Sequence, residues 1–170
     1  MGGREVALAA DFRDLLRAFV DHEVRFLVVG AYALAVLGRP RATGDLDLWV
    51  DATSRNAARV HAALGAFGAP LRDLAVADLA IPGLVFQVGL PPLRIDILTE
   101  ISGVSFPEAW RRRVRAIFEG VPVWVIGLRD FVANKRATGR LKDLADVEAL
   151  EGKARTNTRS RDRSSRRRRR

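Results

Sequence analysis

The chain has 170 residues, 48% hydrophobic and 29% charged, which suits one soluble domain with a sizeable core. It has no cysteine, so disulfides, thiolate metal sites and cysteine nucleophiles are excluded. The formal net charge of +9 belongs to the end of the chain: residues 153–170 carry ten basic residues and one acid, whereas residues 1–152 carry 19 of each sign. The high pI is therefore no argument that the folded part binds polyanions.

Residues 1–10 carry Arg4 and Glu5 and lack the apolar core of a signal peptide. No apolar run approaches the roughly 18 residues of a membrane helix. The expectation is a cytoplasmic protein without a membrane partner. Leu8, Phe12, Leu15, Leu16, Phe19 and Val20 recur at helical spacing and predict a helix over residues 6–21. Phe26–Val29 reads as a buried strand running into Gly30, and Ala31–Leu37 as a short helix stopped by Gly38 and Pro40. Asp45–Val50 is a strand. Thr53 or Ser54 caps a helix to about Leu64. A short helix is expected over Asp73–Leu79. Val85–Val88 and Arg94–Leu98 are strands flanking Gly89-Leu90-Pro91-Pro92. Pro107–Arg113 is helical, Val114–Phe118 and Val121–Ile126 form a hairpin, and Leu128–Thr138 and Leu141–Leu150 are helices parted near Gly139. This order predicts an α/β (α+β) layer structure with a mixed sheet flanked by helices. The domain is expected over residues 1–151. Residues 152–170, rich in Arg and Ser with Ala154 as the one small apolar residue, are expected to be a disordered tail.

Three features carry chemistry. In Gly44-Asp45-Leu46-Asp47-Leu48, strand alternation places Asp45 and Asp47 on one face and the leucines on the other. Adjacent carboxylates repel unless a cation lies between them, and hard divalent ions prefer oxygen ligands; an Asp-x-Asp strand taken alone is more often a solvent face. Gly30-Ala31 links a buried strand to a helix, where glycine permits a tight turn and close approach of a ligand and helix N–H groups suit a phosphate; a plain turn is the competing explanation. Asp96 alternates with Ile95 and Ile97, and either completes an acidic cluster or pairs with Arg94.

Together, strand–Gly–helix, then Asp-x-Asp, then a later strand Asp resembles the DNA polymerase beta-like nucleotidyltransferase superfamily. Val29-Gly30-Ala31-Tyr32-Ala33 with Gly38 to Asp47, and Asp130 to Ala137 with Gly139 to Val147, resemble its small bacterial branch related to AbiEii-type toxins over residues 25–151. Ala31 stands where Gly or Ser is usual. The resemblance implies two magnesium ions on Asp45, Asp47 and Asp96, which are also the catalytic residues. It implies a nucleoside triphosphate donor such as ATP held by Gly30, Ala31, Thr43, Lys135, Lys142 and Asp143. It further implies C-terminal helices beside the active site, an acceptor that is tRNA, a protein hydroxyl or a small molecule, and a cognate antitoxin as partner. Lys135 and Arg136 suit phosphate neutralisation, and Asp143 and Asp146, three apart, share a helix face and could orient Lys135 or Lys142.

Other readings keep the fold without turnover, place nucleic-acid binding on the arginine tail, or make Asp-x-Asp a glycosyltransferase metal site. Arg41 lies just before the acidic strand. His22 and His61 show no ligand spacing. Trp49, Trp110 and Trp124 read as core or partly buried, and the basic Arg111–Arg113 run with Arg115 as a solvated helix end or an acceptor contact.

Overall fold

In a computed structural model, the described residues are 5–6 and 8–152. The elements are β1 (Glu5–Val6), α1 (Ala10–Asp21), β2 (Phe26–Val29), α2 (Gly30–Val36), β3 (Asp45–Val50), α3 (Ser54–Phe67), a 3-10 turn (Val76–Ala80), β4 (Val85–Leu90), β5 (Leu93–Leu98), α4 (Phe106–Arg111), β6 (Val114–Phe118), β7 (Val121–Val125) and α5 (Leu128–Thr138). A last helix, α6, spans 141–152. The arginine-rich tail, from residue 153 on, lies outside the described residues; residue 152 still belongs to α6.

The strands form one mixed sheet in the order β1-β6-β7-β2-β3-β5-β4. The β2–β3, β4–β5 and β6–β7 pairs are antiparallel, and β1–β6, β2–β7 and β3–β5 are parallel. Alternation gives the central strands two working faces. Phe26, Val28, Leu46, Leu48 and Val50 share one face, because Phe26 opposes Val50 and Val28 opposes Leu48. There α1 buries Phe12, Leu15, Leu16 and Phe19, a single helical stripe, and Phe19 meets Phe26 edge-on at 5.3 Å. The other face carries Asp45, Asp47 and Trp49. Trp49 packs on Phe106 of α4 at 5.0 Å, so α4 covers that face at its far end.

Two local devices hold the frame. Thr53 accepts the Asn56 backbone N–H at 3.3 Å and caps α3, a contribution of about 1 kcal/mol. Buried Asn56 then bonds the backbone of Arg25 and Asp51 at 2.8–2.9 Å, fixing the entry of β2 to the exit of β3. On the acidic face, Arg112 forks onto buried Asp130 at 2.9 and 2.7 Å and ties α4 to α5.

Candidate active site

The strand register brings the acids together. In the parallel β3–β5 pair, Asp47 lies directly opposite Asp96, and Asp45 opposite Arg94. Partners in register point to the same face, so Asp45, Asp47 and Asp96 share one side of the sheet. Gly30 has φ +65, and a Cβ there would overlap the Asp47 carboxylate. Glycine is thus required twice, for its left-handed backbone and for the approach of Asp47. Gly30 also lines the cleft beside Asp47.

The cleft in front of Asp47 encloses about 460 Å³. Val29, Gly30 and Asp47 form its floor, Ser102 and Gly103 one wall, and Lys135 and Arg140 the other. Gly103 (φ +76) sits so tightly on α5 that a Cβ would come within 2.6 Å of Ala137 Cβ, and Asn134 donates to the Ser102 carbonyl at 3.0 Å. That wall was not foreseen, since Ser102-Gly103 carries no motif.

Burial, with Asp96 and Asp45 nearby, pushes the Asp47 carboxyl up to about 6, while Lys135 and Lys142 draw it down. Burial also raises Asp96; Arg94 opposes that, Asp45 adds to it, and a Gln87 hydrogen bond opposes it. Arg94 reaches both flanking acids, with Nε 3.2 Å from Asp96 Oδ1 and Nη2 3.4 Å from Asp45 Oδ2. Arg94 thus pairs with Asp96 and bridges the outer two acids, while all three acids remain on one face.

The C-terminal helices supply a buried ion network. Lys135 Nζ is 2.8 Å from Asp143 Oδ1 and 3.8 Å from Asp146 Oδ2. Asp143, fully buried, also accepts from Arg140 at 2.7 Å, and Asp146 pairs with Arg41 at 3.3 Å. Burial would raise the Asp143 carboxyl; hydrogen bonds from Lys135 and Arg140 outweigh it and hold it below the ordinary range. The shared helix face of Asp143 and Asp146 thus becomes a cradle for Lys135, and Arg41 joins it from the loop before β3.

Ala31 is buried at 5% exposure. The Thr43 hydroxyl accepts the Asp45 backbone N–H at 3.1 Å and shapes the start of the acidic strand. Lys142 is exposed and is felt at Asp47 as charge.

Among the described residues, no three acidic or histidine side chains are gathered closely enough to form a ready metal cluster. The donor chemistry nevertheless suits a hard cation. Three carboxylates share a face, burial with Asp96 and Asp45 nearby lifts one of them to about 6, and buried Asp96 Oδ1 has its ion pair with Arg94 Nε in place of a well-formed hydrogen bond. The Arg94 guanidinium, paired with Asp45 and Asp96, lies between the outer two of these acids.

No curated protein matches the sequence. Among solved structures, the fold is similar to that of a Thermotoga maritima protein described as a "putative nucleotidyltransferase", with a TM-score of 0.53 at 14% identity, covering 85% of this chain and 91% of that one. That likeness concerns the fold. The family model for a nucleotidyltransferase of unknown function (DUF6036) matches residues 7–158, nearly the whole chain, and the protein belongs to that family.

Proposed function

We propose that the protein transfers a nucleoside monophosphate from a nucleoside triphosphate to an acceptor hydroxyl, with Asp45, Asp47 and Asp96 as ligands of magnesium. The observation that carries this reading is Asp47, in register with Asp96, at the floor of a cleft walled by a buried lysine. Bound divalent cations would supply charge neutralisation of the triphosphate and activation of the attacking hydroxyl.

The remaining work falls to side chains. Lys135, aimed by Asp143, presents a fixed ammonium to the triphosphate, with Arg140 beside it. Lys142 adds positive potential at the cleft mouth. Gly30 keeps Asp47 where it can reach both its partners and the donor. In the transfer, the acceptor oxygen forms a bond to the α-phosphorus, the bond to the bridging oxygen of the β-phosphate breaks, and pyrophosphate leaves with that electron pair. The hydroxyl proton passes to Asp96 and on to solvent. ATP, or another triphosphate, is the donor class this site fits.

The resemblance of the Lys135 to Asp146 segment to AbiEii-type toxins supports a toxin role within a two-component system. Growth arrest on expression of the wild type but not of Asp47→Asn would support it, and equal growth would oppose it. A second reading, nucleotide binding without turnover, draws on Arg94, whose guanidinium already bridges Asp45 and Asp96. One experiment separates the two. The protein is incubated with magnesium, each triphosphate labelled at the α-phosphate, and total cellular RNA and protein. Label in an acceptor fraction, lost in Asp47→Asn, is expected; triphosphate binding with no label in any fraction would establish the second reading.

A further inference from the structure

The sheet ends on one side in β1, two residues long, and on the other in β4, six residues long. An edge strand presents unpaired N–H and C=O groups, and proteins blunt such edges with short strands, charges or proline. β1 is blunted by its length. β4 is not blunted, because Val85–Leu90 holds no charged residue and no proline.

The ladder between β4 and β5 tells which backbone groups are free. Just before β4, the Thr99 N–H donates to the Leu84 carbonyl at 3.1 Å. In an antiparallel pair, residues that exchange such bonds alternate with residues turned away. Phe86, Val88 and Leu90 therefore bond β5, and the N–H and C=O groups of Val85, Gln87 and Gly89 point outward. Arg94 agrees: it opposes Gly89, yet its N–H goes the other way, to the Gly44 carbonyl. Val85, Gln87 and Gly89 are all exposed.

Apolar side chains gather along the same edge. Half of the large hydrophobic residues exposed among the described residues fall between Val76 and Leu93: Val76, Ile81, Val85, Leu90 and Leu93. Exposed apolar residues scattered singly need no explanation, but a contiguous set marks a contact surface. Two such edges brought together bury on the order of 1,000 Å², the lower bound of a specific interface.

The strand is also its own complement. A two-fold axis sets one surface against itself, so a charged edge would repel its copy, and β4 carries no charge. When the outward groups of Val85, Gln87 and Gly89 bond those of a second copy, the axis passes between the two Gln87 residues. Val85 then faces Gly89 of the second copy, a large side chain against none. Phe86 faces Val88, an aromatic and β-branched pairing that stabilises sheets. Leu84 faces Leu90, whose side chain is otherwise 82% exposed.

We infer that β4 pairs antiparallel with β4 of a second copy of this chain, Gln87 against Gln87, joining two seven-stranded sheets into one. The acidic faces then lie on the same side of the joint sheet. Gln87 opposes Asp96 within its own chain, so the two Asp96 residues stand three strand spacings apart, roughly 14 Å. The pairing does not rest on the transferase reading.

The chain has no cysteine, so single cysteines report the register. Gln87→Cys sets two thiols on a pair with Cα atoms about 5.5 Å apart, inside the disulfide range of about 4.4–6.8 Å. Val85→Cys, on the same edge, sets them about 14 Å apart. Mild oxidation of the full chain is expected to link Gln87→Cys into a dimer at least tenfold faster than Val85→Cys. Sedimentation of the wild type is expected to give twice the 18.7 kDa of one chain. Val85→Lys with Leu90→Lys charges the edge and is expected to give a single-chain mass with the wild-type circular dichroism spectrum. Val114→Lys, at an exposed valine of β6, is expected to remain a dimer. A single-chain mass for the wild type, a Val85/Leu90 variant that still pairs, or equal linking rates for Gln87→Cys and Val85→Cys would overturn the inference.

Discussion

Replacing Asp47 by Asn should stabilise the metal-free protein at neutral pH and abolish its function. The carboxyl titrates near 6 in the fold against an ordinary 3.8, a rise of about two units, on the order of 3 kcal/mol. A raised folded value means that the native state holds the proton more tightly than the unfolded chain. The advantage is present below about pH 4, declines as pH climbs from about 4 to 6, and is gone above. Asn keeps the shape without the charge. In chelator at about pH 7, the variant should be more stable than wild type by about 1–3 kcal/mol, the lower end allowing for water in the cleft. By about pH 4 the two should converge. Urea unfolding across that range measures both quantities, and added magnesium should restore wild type alone, in proportion to its concentration over Kd. A variant less stable than wild type at neutral pH, or a difference that ignores pH, would refute the claim that burial, with Asp96 and Asp45 nearby, penalises the Asp47 charge.

Gly30→Ala forces a left-handed alanine, costing about 1–2 kcal/mol, and pushes Asp47 from its place; manganese affinity should fall at least tenfold with the circular dichroism spectrum retained. Asp143→Asn leaves Lys135 buried with only Asp146 at 3.8 Å, and denaturation should show a loss of about 3 kcal/mol. Arg94→Met removes the guanidinium bridging Asp45 and Asp96; calorimetry in the absence of nucleotide should record severalfold tighter manganese binding, and weaker binding would make Arg94 a support of the site.

The local parts of this site were legible because they obey short periods. Alternation set Asp45 and Asp47 on one face, and β3 begins and ends where the pattern does. Thr53 or Ser54 announced α3, expected to run to about Leu64, whereas the helix continues to Phe67 and stops at Gly68, whose φ of +93 only glycine takes readily. What could not be read was non-local. Nothing in the Arg94–Leu98 segment says that it lies parallel to β3 with Asp96 opposite Asp47, since register is decided across a crossover. Nor does Lys135 reveal that Asp143 will be fully buried beneath it, or that Arg41, some hundred residues away, will hold Asp146. Ala31 was placed by adjacency to Gly30, and its low exposure is set by packing that the motif does not encode; the bond from the Asp45 N–H to the Thr43 hydroxyl is a local turn feature. Arg113 between two indoles escaped because Trp110 and Trp124 sit on different elements.

The measurement closest to the centre of the account is manganese binding by electron paramagnetic resonance, with and without a non-hydrolysable triphosphate, for wild type and for Asp45→Asn, Asp47→Asn and Asp96→Asn. The account predicts two ions on the wild type with triphosphate present and at least a tenfold loss of affinity in every variant. Wild-type binding in Asp96→Asn would contradict it.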